Sequence, residues 1–120
     1  MKGFPMSDTE DTELVPAEVL GSDQPVAVFA VSRVKPGKEE EFEELVKSVV
    51  TLVREEPGCE QYVVHRRSGE PGVYVVYERY ASGADLAKHF EMPFVQNFFS
   101  RAGELVEGPP ETTWLRPVEA

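Results

Sequence analysis

The stretch Cys59–Tyr80, read as CEQYVVHRR, SGEPG and VYVVYERY, decides the fold. Two runs rich in Val and Tyr flank five residues that hold Ser, Pro and two Gly. That is the pattern of two strands joined by a hairpin loop, Ser68–Gly72. The second run, Val73–Tyr80, is strongly β-prone because branched and aromatic side chains pack well on a pleated surface. The hairpin is antiparallel by construction. What lies on either side of it then sets the architecture.

Upstream, Pro57-Gly58 stops a segment of helical period, Lys38–Glu56. Phe42, Leu45, Val46, Val49, Leu52 and Val53 fall on one stripe of that helix. Glu39, Glu40, Glu41, Glu43 and Glu44 crowd its first turns, where the helix dipole favours negative charge, and read as a solvated face. Before it, Pro36-Gly37 breaks the chain after VAVFAVSRV, Val26–Val34. That run is nearly all apolar, so a strand buried on both faces is expected. Downstream, Ser82 is a good N-cap with Asp85 at the third helical position. The helix it starts runs through Phe90, Met92-Pro93 interrupts it, and Phe94–Val106 turns helical again. Gly108-Pro109-Pro110 is a hard stop before a last strand, Glu111–Val118. The order is β-α-β-β-α-β, an α+β ferredoxin-like arrangement with helices on one face of an antiparallel sheet. The other sheet face is left apolar, which monomers seldom expose, so a homodimer with sheets packed face to face is expected.

The chain is short enough for one domain and carries 12 basic against 22 acidic residues, a net charge of −10. Residues 1–25 hold half of that charge and three prolines, Pro5, Pro16 and Pro25. This acidic tail is expected to be disordered, since it offers little apolar area against the entropy of ordering. Leu14-Val15 and Val19-Leu20 are its one apolar patch, able to lie along the domain or a partner. Residues 26–120 form the domain. No basic face exists for phosphates, which argues against nucleic acid. No apolar stretch reaches membrane-spanning length. Met1–Glu10 has no apolar core of a secretory signal, so a reduced, cytoplasmic setting is expected. The single Cys59 excludes an internal disulfide and a cysteine-rich metal site. It follows a helix C-terminus, the wrong dipole end for an activated thiol.

The segments Val34-Lys35-Pro36-Gly37-Lys38-Glu39-Glu40-Glu41-Phe42, Glu55-Glu56-Pro57-Gly58-Cys59, Tyr77-Glu78-Arg79-Tyr80-Ala81-Ser82 and Leu86-Ala87-Lys88-His89-Phe90 occur in one order and spacing. Residues 26–118 thereby resemble the antibiotic biosynthesis monooxygenase superfamily, especially its quinol monooxygenase branch of dimeric α+β barrels. The resemblance implies oxidation of small quinols or phenols by oxygen with no metal or flavin. It also leaves room for other roles: a catalytically silent ligand-binding or stress-related accessory domain, or an isomerase of a small oxygenated metabolite. The family pattern places the strand glutamate, here Glu78, near the helix histidine, here His89. Such a pair would orient the imidazole and raise its basicity, so that it could deprotonate a phenol. A plainer account has Glu78 and His89 only satisfying each other. Where the family shows tryptophan this chain has Tyr80.

Tyr80, Phe94, Phe98 and Arg33 are the expected substrate-binding residues, with His89 and Glu78 catalytic. Phe90, Met92, Phe94, Phe98 and Phe99 make an aromatic wall that core packing also explains. Haem degradation is disfavoured. Its pattern needs an asparagine late in the first strand, where Ser32 stands, and an axial histidine beyond His89, which Phe94–Phe99 lacks. His65 reads as a surface residue, and the two histidines have no matched carboxylate cluster for a metal.

Overall fold

A computed structural model of the protein describes residues 15–119. A short turn of helix, α1 (Ala17–Leu20), precedes strand β1 (Val26–Arg33). Helix α2 (Glu39–Arg54) follows, then the hairpin β2 (Cys59–Arg66) and β3 (Val73–Tyr80). Two helices, α3 (Gly83–Glu91) and α4 (Pro93–Gly103), lead to β4 (Glu111–Leu115). The sheet order is β2-β3-β1-β4 and every pairing is antiparallel. This is the α+β ferredoxin-like fold. Helix α3 starts as its sequence dictates: the Ser82 hydroxyl accepts from the Asp85 amide at 3.2 Å.

Register decides which strand residues meet the helices. Residues directly opposite in an antiparallel sheet share a face. One row across the sheet reads Tyr62, Glu78, Val28, Trp114, and the next reads Val64, Val76, Ala30, Thr112. Both rows face the helical layer. A bulge between Cys59 and Gln61 leaves Glu60 without an opposite partner and sets this register for the rest of β2. The core divides into two groups. One gathers Val34, Phe42, Leu45, Val46, Tyr74 and Ala102 near the hairpin loop; the other gathers Val15, Val26, Tyr80, Leu86 and Phe90 at the opposite end.

Four expectations need correction. β1 is buried on both faces at Val26, Ala27, Val28 and Val31 but not at Phe29, which is 41% exposed on the open side of the sheet. Leu52 points outward from α2 because it sits at the edge of the apolar stripe, whereas Phe42, Leu45, Val46, Val49 and Val53 are buried. Glu43 leaves the solvated glutamate face. Its carboxylate accepts from the Tyr74 hydroxyl at 2.5 Å and from Arg66 at 2.6 and 2.7 Å. The disorder expected through residue 25 does not extend to residues 15–25. Val15 is buried, and Val19 and Leu20 pack against Tyr80, Leu86 and Phe90. The Gly83 amide donates to the Ser22 carbonyl at 2.8 Å, and a Cβ at Gly83 would overlap the carbonyls of Val19 and Leu20. Apolar area on one face of this short segment offsets its ordering cost. The remainder of the tail, residues 1–14, lies outside the described residues. Among the described residues no helix is long and apolar enough to cross a membrane.

Candidate active site

Between the helices and the inner sheet face lies a cavity of about 90 Å³. Its walls are mostly apolar, with Val28, Val76, Phe90, Phe98 and Trp114 among them, while Glu78, His89 and Tyr62 gather polar atoms at one end. A mostly apolar hollow with a few convergent polar groups is the usual form of a small-molecule site.

His89 reaches it from the last turn of α3, where the i, i+3 spacing from Leu86 turns it to the buried face. It is 3% exposed. Its Nδ1–H donates to the carboxylate of Glu56, at 3.0 and 3.1 Å to the two oxygens. A carboxylate only accepts, so this contact assigns a proton to Nδ1, and in the neutral imidazole Nε2 is then the nitrogen that carries the lone pair. Nε2 stands 3.7 Å from Glu78 Oε1, too far for a hydrogen bond. The rings of Tyr80 and Phe90 lie 5.1 and 5.5 Å from the imidazole, centre to centre, and hold its plane.

Glu78 comes from the middle of β3. Its Oε1 accepts from the Tyr80 hydroxyl at 2.9 Å. Burial, the largest influence, pushes its pKa up; His89, when protonated, and the Tyr80 bond pull the other way, and Glu56 adds to the rise. Burial also raises Tyr62 and Tyr80 well above the ordinary phenol, with Glu78 adding to both, so each stays a neutral donor. Cys59 is pushed up to about 11, first by burial and then by Glu56 and Glu78, which makes it a poor nucleophile.

The structure brings together Glu78, His89 and Phe98 of the residues singled out from sequence. It places three others differently. Tyr80 is 1% exposed and stands behind the wall, its hydroxyl on Glu78 and its ring on His89. Phe94 is half-buried away from the cavity, because α4 turns Val95, Phe98, Phe99 and Ala102 inward instead. Arg33 points outward from β1 and pairs with Glu111 at 3.3 Å. The imidazole's holder is Glu56, not Glu78. Glu56 could have been found from spacing, since 49, 53, 56 continues the apolar stripe of α2 past its end. Tyr62, one of several strand tyrosines and without a motif of its own, lies directly opposite Glu78 and lines the cavity. Among the described residues no group of three or more His, Cys, Asp or Glu is arranged to hold a metal ion.

Residues 25–101 match the family model described as antibiotic biosynthesis monooxygenase. A candidate monooxygenase of Mycobacterium tuberculosis, Rv0793, is 33% identical over 79% of this chain and 93% of its own length. Its solved structure superposes with a TM-score of 0.75 at 31% identity, covering 81% of this chain and 98% of that one. The structure of a candidate antibiotic biosynthesis monooxygenase from Caulobacter crescentus gives a TM-score of 0.79 at 33% identity, over 85% of this chain and 97% of the other. An uncharacterized protein of Synechocystis is 32% identical over 78% of this chain, which spans 64% of that protein's length.

Proposed function

This chain belongs to the antibiotic biosynthesis monooxygenase family, and on that footing we propose that it oxidises a small quinol or phenol with molecular oxygen, without a metal or organic cofactor. The observation that carries the reading is the state of His89. Glu56 holds Nδ1, and among the described residues Nε2 makes no hydrogen bond, standing 3.7 Å from Glu78 at the polar end of an apolar cavity. A base so oriented takes the proton of a phenol. The phenolate then gives one electron to oxygen far more readily than the phenol does. Superoxide and the aryloxyl radical combine at a ring carbon, and the imidazolium protonates the distal peroxide oxygen. His89 next removes the hydrogen on that carbon, the O–O bond breaks, and the departing hydroxide leaves as water. The ring loses two hydrogens and four electrons and gains one oxygen atom. Oxygen accepts the four electrons, one atom ending in the quinone and the other in water.

General bases contribute roughly 10²–10⁴-fold. Oxygen uptake across a panel of hydroquinones and naphthols is the test. Uptake with equimolar quinone formation is expected. Silence across the whole panel would overturn the reading in favour of a ligand-binding module.

The reading includes a second copy of the chain. The open sheet face carries Phe29 and Leu115, 41% and 40% exposed, beside the half-buried Val63, Val75 and Tyr77. That contiguous apolar surface favours a homodimer with sheets face to face. Light scattering on an eluting peak should give twice the chain mass, and Phe29→Glu should halve it.

A further inference from the structure

Three tyrosines point from the sheet toward the helical layer, and they differ in what their hydroxyls meet. Tyr80 donates to Glu78 at 2.9 Å, and Tyr74 donates to Glu43 at 2.5 Å. Tyr62 is as buried as these, 7% exposed, yet its hydroxyl has no hydrogen-bond partner among the described residues. Its place is not loose. The Tyr62 carbonyl accepts from Arg54 Nε at 3.0 Å, and its ring stands edge-on to His89, 6.3 Å between centres. The nearby carboxylates are engaged elsewhere, Glu56 with His89 and Glu78 with Tyr80. A buried polar group left unmatched in an otherwise satisfied region points to a ligand atom or to water. Tyr62 lines the cavity beside Glu78 and His89 and lies directly opposite Glu78 in the sheet.

The charges of the wall carry the second half of the inference. Among the described residues Glu78 is the only carboxylate that lines the cavity, and no Lys or Arg lines it. Arg33 is turned out to Glu111, and Arg54 is spent on the Tyr62 carbonyl. An anionic aromatic entering here would face Glu78 with no Lys or Arg of the described wall to offset it.

We infer that the Tyr62 hydroxyl is a substrate-binding group, donating to the oxygen whose proton His89 takes, and that the cavity selects neutral phenols over carboxylated ones. The inference rests on the reading of the cavity as a phenol site. Tyr62 supplies what a base alone cannot: a donor to the oxygen as negative charge develops on it.

Trp114 is the chain's single tryptophan and lines the cavity, so its fluorescence reports occupancy directly. Binding is measured on the full chain under nitrogen, where no oxygen chemistry occurs. The probes are 1-naphthol, naphthalene and 1-hydroxy-2-naphthoate. For the wild type, 1-naphthol is expected to bind at least tenfold more tightly than the carboxylate. In Tyr62→Phe, the preference for 1-naphthol over naphthalene should fall about fivefold, the effect of one hydrogen bond. A purely structural tyrosine would move both affinities together and leave their ratio alone. An unchanged ratio in the folded variant overturns the role of Tyr62. Equal or tighter binding of the carboxylate by the wild type overturns the charge selection, whatever the variant does. Absence of naphthol binding overturns both. A protein that binds naphthol through Tyr62 but never consumes oxygen refutes the monooxygenase reading and leaves this one standing.

Discussion

The two ends of the cavity use the same materials to opposite effect. Near the hairpin loop, Glu43 meets Tyr74 and both nitrogens of a forked Arg66 contact. The Arg66 and Tyr74 bonds bring its pKa down to about 2, and Tyr74, raised by burial and by that same bond, sits at about 12. The Tyr74 hydroxyl and the Arg66 fork both end on Glu43, and the pair is open to solvent on the Arg66 side. At the other end, Glu78 has one tyrosine and, among the described residues, no arginine, burial raises its pKa, and His89 Nε2 stands 3.7 Å away, beyond hydrogen-bond distance. A carboxylate with a cation and water close by becomes a clasp. A carboxylate deprived of both is held ready to share a proton.

The sharpest way to break this contrast is at the reactive end. His89→Gln keeps a donor for Glu56 but removes the base, so turnover should fall ~10²–10⁴-fold with the melting temperature little changed. Steady-state oxygen uptake together with thermal unfolding reads both, and a folded, fully active variant refutes the catalytic role. Glu56→Gln comes next. It can still touch Nδ1 but no longer compels the tautomer, so a loss of about 10–100-fold in kcat with KM nearly unchanged is expected. A changed KM with intact kcat would make Glu56 a packing residue only.

Glu78→Gln tests the burial argument through stability. The pKa of Glu78 is raised in the folded state, so its favourable contribution is complete below its unfolded value, near pH 4.5, and is lost as pH climbs through the folded value. Denaturant titrations from pH 4 to 8 should show the wild type losing ground to Glu78→Gln as pH rises. Parallel curves would mean that Glu78 is not desolvated.

The smallest effect belongs to the clasp. Tyr74→Phe should cost about 1 kcal/mol, one hydrogen bond, and leave the proton chemistry at His89 untouched. Glu43 titrates the other way from Glu78. Its lowered pKa means stability that is present above about pH 4.5 and is lost as pH falls toward 2. Glu43→Gln should flatten that acid limb in an unfolding series, and an unaltered limb would show that the clasp contributes nothing.

Much of this molecule is legible in the order of its residues. The hairpin, the stripe Phe42–Val53, the Ser82 cap and the Pro-Gly stops are local signals, each depending on a few neighbours in the chain. Glu78 and His89 were legible through resemblance. Glu56 was not, because a glutamate beside Pro57-Gly58 looks like any polar helix end until α2 docks on the sheet and turns it inward. Residues 15–25 misled for a related reason. Their charge argues for disorder, but Val15, Val19 and Leu20 find an apolar groove that exists only once α3 has packed on β3.

Periods of two and of 3.6, and the breaks between them, determined by themselves that four strands and the helices between them exist and in what order. Backbone sterics and side-chain spacing act over a few residues, and so can be read along the chain. Only the tertiary structure decided that Glu56 rather than Glu78 holds the imidazole, that Glu43 becomes a clasp, and that the Tyr62 hydroxyl is left unmatched among the described residues. Those outcomes hang on a bulge at Glu60 and on differences of less than an ångström between a 3.0 Å contact and a 3.7 Å one. Hydrogen bonding and desolvation are decided at that scale, by groups distant in sequence that meet only when the layers close.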